Sequence, residues 1–395
     1  MLPEKNNANR KNKAMINPAM LRWARQRIAW SEEHLAQKVP TRVDRLRTWE
    51  QGEDFPTFRQ AETIAKKTHI PLGYLFLSDP PDEVLPIPDL RSLGGIPLEK
   101  PSATLFDLIQ DVRFQHDWYR DYLLQQGAER LPFVGKYTLK NKIQDIANDI
   151  RSTLAMDDSP TSKNWEEHLS QHFDRCEEAG IWVMRSGHVG SNTKRTLDVQ
   201  EFRGFAISDP IIPLIFINGK DAKAAQFFTL AHELAHIWLG ANGISNIPLD
   251  EISPKKNAGI EWKCNAIAAE VLTPQSIFLD LWNDGHPLEE NILALSKHFM
   301  VSGIVIARRA YVMGKTTHDK YIEFLRKQQK EWKTKEEKFK EQDGGDFFRT
   351  APIKNGRRFT DAVLANAMTG TLLLRDAGEL LHMKPSTLQK LFQYR

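Results

Sequence analysis

Apolar positions in this chain recur mostly with the 3.6-residue period of helices. Near the N-terminus, residues 18–78 predict five short helices: one over 21–28, one opened by Ser31 ahead of Leu35 and Ala36, and one over 43–49 closed by Glu50-Gln51-Gly52. A fourth opens at Pro56-Thr57 and a fifth runs from Pro71 to near Leu77. Residues 105–126 predict an amphipathic helix with Phe114, Trp118 and Tyr122 as a packing stripe, and residues 139–154 predict another. Two short apolar runs, 202–207 and 211–217, flank Ser208-Asp209-Pro210 and predict a strand pair. They lead into residues 222–239 (AKAAQFFTLAHELAHIWL), a helix with Asp221 at its N-cap position and Gly240 just past its end. Residues 260–272 (IEWKCNAIAAEVL) predict a helix stopped by Thr273-Pro274, and residues 292–314 two apolar helices about a Val-Ser turn. The fold class expected is mainly α with a small β-sheet (α+β).

At 395 residues the chain is too long for one ordinary domain, and 41% hydrophobic with 27% charged residues is the balance of a soluble globular protein. No run of 18 apolar residues offers a membrane span, and the polar start MLPEKNNANRKNKAM lacks the apolar core of a signal peptide. Two cysteines, Cys176 and Cys264, make no disulfide framework and suit a reducing cytosol, so a cytoplasmic location is expected. The net charge of +3 carries no global nucleic-acid signature, yet residues 1–47 hold eleven Lys/Arg against four Asp/Glu. The expected organisation is a flexible basic tail (1–17), a helical module (18–78), a linker with helices (79–150), a central domain (151–315), and a charged helix with a helical tail (316–395). Within the linker, residues 79–101 are rich in proline and glycine and predict an extended connector. Residues 319–341 predict a helix charged in both signs, and the tail beyond Gly344-Gly345 a bihelical unit over 372–381 and 386–392, with packing as its expected role.

The chemistry is concentrated in His232-Glu233-Leu234-Ala235-His236. Histidines four apart project from one helix face, so two imidazoles reach one metal ion, and Glu233 beside them can take a proton from an attacking water. A catalytic zinc needs a third protein ligand and an open position. Glu261 and Glu270 on the downstream helix are the candidates; nine residues apart, they face opposite sides. Glu261 is preferred, because Asn265 follows it one turn later on the same face and suits a hydrogen bond to a metal-bound imidazole. Cys264 is better explained as a small buried side chain.

The run EFRGFAISDPIIPLIFINGKDAKAAQFFTLAHELAHIWLG, followed by IEWKCNAIAAEVLTP, resembles the ImmA/IrrE family of metallopeptidases over roughly residues 150 to 315. The resemblance implies a gluzincin-like core with His232, His236 and Glu261 as zinc ligands and Glu233 as general base; one zinc ion is expected, with another divalent metal such as manganese left open. The strand around residues 215–218 is the expected edge for an extended substrate. Residues 18–78 resemble the Xre-type helix-turn-helix through Ala36, the Trp49-Glu50-x-Gly52 ending and the Pro56-Thr57 start. That family sets the start of its third helix in the major groove, where Arg42, Asp44, Arg45 and Arg47 stand here; Arg42, Arg45 and Arg47 are the expected DNA contacts. This chain departs at the tight turn, where Pro40 replaces the usual glycine.

The function expected is a zinc-dependent endopeptidase fused to a DNA-binding head, regulating gene expression by cleaving a repressor or partner protein. The alternative is a DNA-binding regulator or antitoxin of a toxin–antitoxin pair, with the peptidase-like domain as sensor or scaffold. Expected partners are a protein substrate (a repressor or toxin-system partner) and DNA, with no membrane; a homodimer is left open.

Overall fold

The computed structural model describes residues 12–89, 92–93, 96–97, 100–158, 162–245, 259–336 and 353–394. Residues 1–11 of the expected basic tail, part of the 79–101 connector, the end of the charged helix and residues 337–352 lie outside them. The chain divides into two compact units, Met1–Leu85 with Lys100–Asp107, and Pro86–Glu99 with Leu108–Arg395.

The first unit holds α1 (Pro18–Arg27), α2 (Glu32–Lys38), α3 (Val43–Gln51), α4 (Phe58–Thr68) and a 3-10 turn, Leu72–Phe76. Three of the four helix starts carry a side-chain cap: Asn17 accepts from the Ala19 amide, Ser31 from that of His34, and Thr57 forms a reciprocal capping box with Gln60, whereas α3 follows its N-cap residue Arg42 without one. The Trp-Glu-x-Gly ending of α3 does three separate jobs. Trp49 is fully buried in the core with Leu21, Leu35, Leu46 and Ile64. Gly52 ends the helix at φ +81°, a conformation that costs other residues a clash. Glu50, only 5% exposed, accepts two hydrogen bonds from Arg25 of α1, Nε and Nη2 each at 2.7 Å. Removing one partner of such a pair leaves a buried charge. Glu50→Gln is therefore expected to cost roughly 3 kcal/mol, seen as faster amide exchange throughout α1 and α3; unchanged protection there would remove this pair as a fold determinant.

The second unit carries a two-stranded antiparallel ladder, β1 (Ser92–Leu93) with β2 (Ile96–Pro97). Three helices follow: α5 (Ala103–Gln125), whose residues up to Asp107 count with the first unit, α6 (Ile143–Thr153) and α7 (Trp165–Glu178). A four-stranded mixed sheet has the order β3 (Trp182–Ser186), β5 (Leu214–Asn218), β4 (Gly204–Ile207), β6 (Gly243–Ser245). β3 runs parallel to β5, whereas β4 is antiparallel to both β5 and β6. Against this sheet lies α8 (Lys223–Trp238), buried at every position from Ala225 to Trp238. Around it stand α9 (Ile260–Leu272), α10 (Gln275–Leu281), α11 (Leu288–Phe299), α12 (Gly303–Val312) and α13 (His318–Glu336). The last three helices are α14 (Arg357–Met368), α15 (Leu374–Leu381) and α16 (Pro385–Tyr394). Among the described residues the protein is thus mainly helical with a small four-stranded sheet and a two-stranded ladder, and no single described helix is long and apolar enough to cross a membrane.

Several predicted boundaries move for identifiable reasons. The run 211–217 begins as a strand only at Leu214, because Asp209 Oδ1 accepts the Ile211 and Ile212 amides at 2.8 and 3.0 Å. The helix expected from residue 139 starts at Ile143, since Asn141 Oδ1 takes the Thr138 amide at 2.9 Å. Asp221 does not supply an N-cap: Ala222 holds that position without a side-chain cap, and Arg203 Nη1 engages Asp221 at 2.6 Å. The strand around residues 215–218 is not an edge either. It is hydrogen-bonded to β3 on one side and β4 on the other, so its backbone has nothing left to offer a substrate.

On α7, His168 and His172 pack edge-on against Phe227 of α8, with ring centroids 4.5 and 4.7 Å away. The His172 Nδ1–H donates to the His168 carbonyl at 2.8 Å. Burial holds both rings down at about 4, helped by His172 and Arg175 at His168 and by Arg175 at His172. The unfolded chain has ordinary histidines near 6.5 and takes up these protons first. Stability should therefore be undiminished above pH ~6.5 and fall steadily toward pH ~4, by on the order of a few kcal/mol. The double substitution His168→Asn and His172→Gln is expected to flatten that slope in calorimetric melts, and an unchanged slope would place the acid sensitivity elsewhere.

Candidate metal centre

α8 brings His232, Glu233 and His236 to the interior, each 0% exposed. The two Nε2 atoms stand 3.1 Å apart. Glu261, in the first turn of α9, reaches across to both, with Oε2 3.2 Å from His232 Nε2 and Oε1 3.1 Å from His236 Nε2. Donors around a tetrahedral ion with ligand bonds of 2.0–2.1 Å lie about 3.3 Å from one another. Among the described residues this is the group of His, Cys, Asp and Glu side chains that converges in the manner of metal ligands.

Supporting contacts orient the set. His232 Nδ1 lies 3.0 Å from Asn265 Oδ1. With Nδ1–H donating to that oxygen, the Nε2 lone pair is left facing Glu261 and His236. His236 has no matching support, as its Nδ1 is buried without a hydrogen bond. Glu270 is elsewhere: it pairs with the buried Arg309 and accepts the Gln275 amide at 3.0 Å. Cys264 is a buried free thiol.

Glu233 is held against the sheet by a glycine. A Cβ on Gly204 of β4 would lie 2.6 Å from Thr229 Cγ2 and 3.0 Å from Glu233 Oε1, so no larger residue lets α8 approach this closely. Ser245 of β6 stands opposite Gly204 in the ladder, and its hydroxyl favours the charged form of Glu233 without an aligned hydrogen bond. Burial, followed by the negative charge of Glu261, raises Glu233 well above the ordinary carboxyl range. At Glu261 burial acts upward, but His232 and then His236 outweigh it and hold the group at about 2. No Lys or Arg among the described residues forms an ion pair with either carboxylate. One buried and one partly exposed carboxylate beside two buried imidazoles, with no described basic side chain to balance them, fit a divalent cation.

Gly204 belongs to the Arg203-Gly204-Phe205 strand of the ImmA/IrrE resemblance, which assigned it no role, whereas Ser245 depends on a strand pairing that no local pattern announces. Asn265 also lines an apolar cavity of about 190 Å³ with Phe228, Trp262, Ala266 and Ile304, and Trp262, which follows Glu261, is 47% exposed.

The arginines of the first unit sit differently. Arg42 is the exposed N-cap residue of α3. Arg45 lies 3.5 Å from Asp54 and over the Trp49 ring at 5.7 Å. Arg47 is 2.6 Å from Glu32, 3.6 Å from Asp44 and 3.7 Å from Glu33. The structure therefore gives Arg45 and Arg47 carboxylate partners within the first unit.

Residues 176–311 match the model of the IrrE N-terminal-like domain, a family of the M78 peptidases, and residues 355–394 match a domain of unknown function, DUF8813. No curated protein matches the chain. The first match spans β3 to α12 and supports a metallopeptidase-like domain of the ImmA/IrrE kind, for which a metal cofactor is implied.

If Asn265 orients a ligand, Asn265→Ala should weaken zinc binding about 10- to 100-fold in chelator competition, while Glu270→Ala should leave it unchanged and lower the melting temperature. A loss of zinc in the second variant and not in Glu261→Ala would transfer the ligand role to Glu270.

Proposed function

We propose that the second unit is a zinc-dependent endopeptidase. The observation that carries this reading is the convergence of His232, His236 and Glu261 beside a buried carboxylate, Glu233, that no basic side chain among the described residues neutralises. His232 and His236 would hold the ion through Nε2, and Glu261 through its carboxylate. When bound, zinc would supply Lewis-acid polarisation of the scissile carbonyl and ease the deprotonation of the attacking water. Glu233 takes a proton from the attacking water and returns it to the departing amine nitrogen. Asn265 fixes the tautomer of His232, and Gly204 sets how near Glu233 lies to the sheet. The cavity beside Trp262 has room for an apolar side chain of a peptide.

The finer reading is regulatory. The first unit, a helix-turn-helix by its sequence pattern, binds DNA through Arg42, Arg45 and Arg47, and the substrate is a repressor or another partner protein. For DNA to be bound, Arg45 and Arg47 must exchange Asp54 and Glu32 for phosphate, so affinity should depend steeply on salt.

The decisive variant is Glu233→Gln. It is expected to retain zinc at one equivalent per chain, measured by elemental analysis. Cleavage of a peptide library should fall by about 10²- to 10⁴-fold. Undiminished cleavage in a zinc-loaded Glu233→Gln protein would exclude Glu233 as the base.

A further inference from the structure

The proline-rich stretch that reads as a connector does not leave the sheet alone. The Ile244 amide of β6 donates to the Pro88 carbonyl at 3.1 Å, and Asp89 bridges Ile244 in the parallel sense. β6 is the outer strand on the β4 side. It is also the strand whose Ser245 faces Glu233, so this is the sheet edge belonging to the metal centre. Pro88 and Asp89 thus occupy the outer edge of β6 through one hydrogen bond and one isolated bridge.

Among the described residues the strap meets β6 through that hydrogen bond and that bridge. Ile87 is its apolar anchor at 3% exposure, while Pro88 and Asp89 are exposed. Pro86 and Pro88 have no amide hydrogen and cannot extend the ladder. A longer strand with all its amides would offer β6 a ladder in place of this single bridge.

We infer that residues 86–89 are a built-in competitor for the β6 edge. The partner that displaces them is an extended peptide segment adding as a strand, the same backbone mode in which a peptidase substrate would lie. The consequence for cleavage rests on the peptidase reading; the occupancy of the edge does not.

The test uses the full chain carrying Glu233→Gln, so that nothing is cleaved, with Ile87→Asp or Ile87→Gly added. Two readouts apply: amide exchange at Ile244, and binding of a fluorescein-labelled peptide with the sequence of residues 84–89. Removing the anchor should speed exchange at Ile244 at least tenfold and tighten peptide binding at least tenfold. Should Ile87→Asp unfold the unit, the milder glycine variant carries the test. Equal peptide affinity with and without the anchor, or unchanged exchange at Ile244 in folded variants, overturns the proposal. With Glu233 restored, KM for an extended peptide should fall in the anchor variants while kcat holds. If edge occupancy changes as expected and no cleavage appears in any variant, the strap stands and the peptidase reading fails.

Discussion

A helix buried on every side that nonetheless carries two imidazoles and a carboxylate is the constraint around which the second unit is arranged. Desolvating such groups costs several kcal/mol each unless partners or a cation compensate. α8 therefore cannot simply be sunk into the core; each polar side chain on it must meet something specific. α9 answers with Glu261 and Asn265, and the sheet answers with a glycine at the one place where a Cβ would collide with Glu233. The apolar remainder of α8 is what positions these answers. Trp238 stacks on Phe133 at 4.4 Å and donates to Asp149 of α6, and Phe227 meets the histidines of α7. Packing and site chemistry are the same set of contacts seen from two ends of one helix.

The first unit solves a smaller version of this problem. Glu50 is as buried as a core leucine, and the fork of Arg25 makes that tolerable. Its surface arginines are treated in the opposite way, left exposed with carboxylates nearby that solvent and salt can loosen. Buried charge fixes the module, and exposed charge remains available for exchange.

Local signals were the most legible part of the sequence. The caps at Ser31 and Thr57, the left-handed Gly52 and the helical run around His232 depend on residues a few positions apart, and such patterns survive folding nearly intact. The two-histidine spacing likewise needs only the helix pitch to bring the rings together. What could not be read was decided by long-range pairing. Strand order placed residues 214–218 in the sheet interior, because β3, a strand no motif flagged, takes the side that the sequence left open. Asp221 looked like a cap until Arg203, eighteen positions earlier, claimed it. Prolines 86 and 88 give the stretch the backbone chemistry expected of a linker, yet a carbonyl needs no amide of its own to accept from a strand.

The docking of the C-terminal helices has a consequence in time. Trp182 on the outer strand β3 donates to the Asn355 carbonyl at 2.7 Å and stacks on Phe359 at 4.6 Å, and Gln115 of α5 donates to the Leu380 carbonyl. These contacts join residues more than 170 positions apart. During synthesis the sequence of the whole metal cluster leaves the ribosome long before the segment that covers Trp182 and Tyr119. A nascent chain therefore passes through an interval in which its centre is already encoded but a wall of aromatic side chains stands open to water, the interval in which chaperones have most to do.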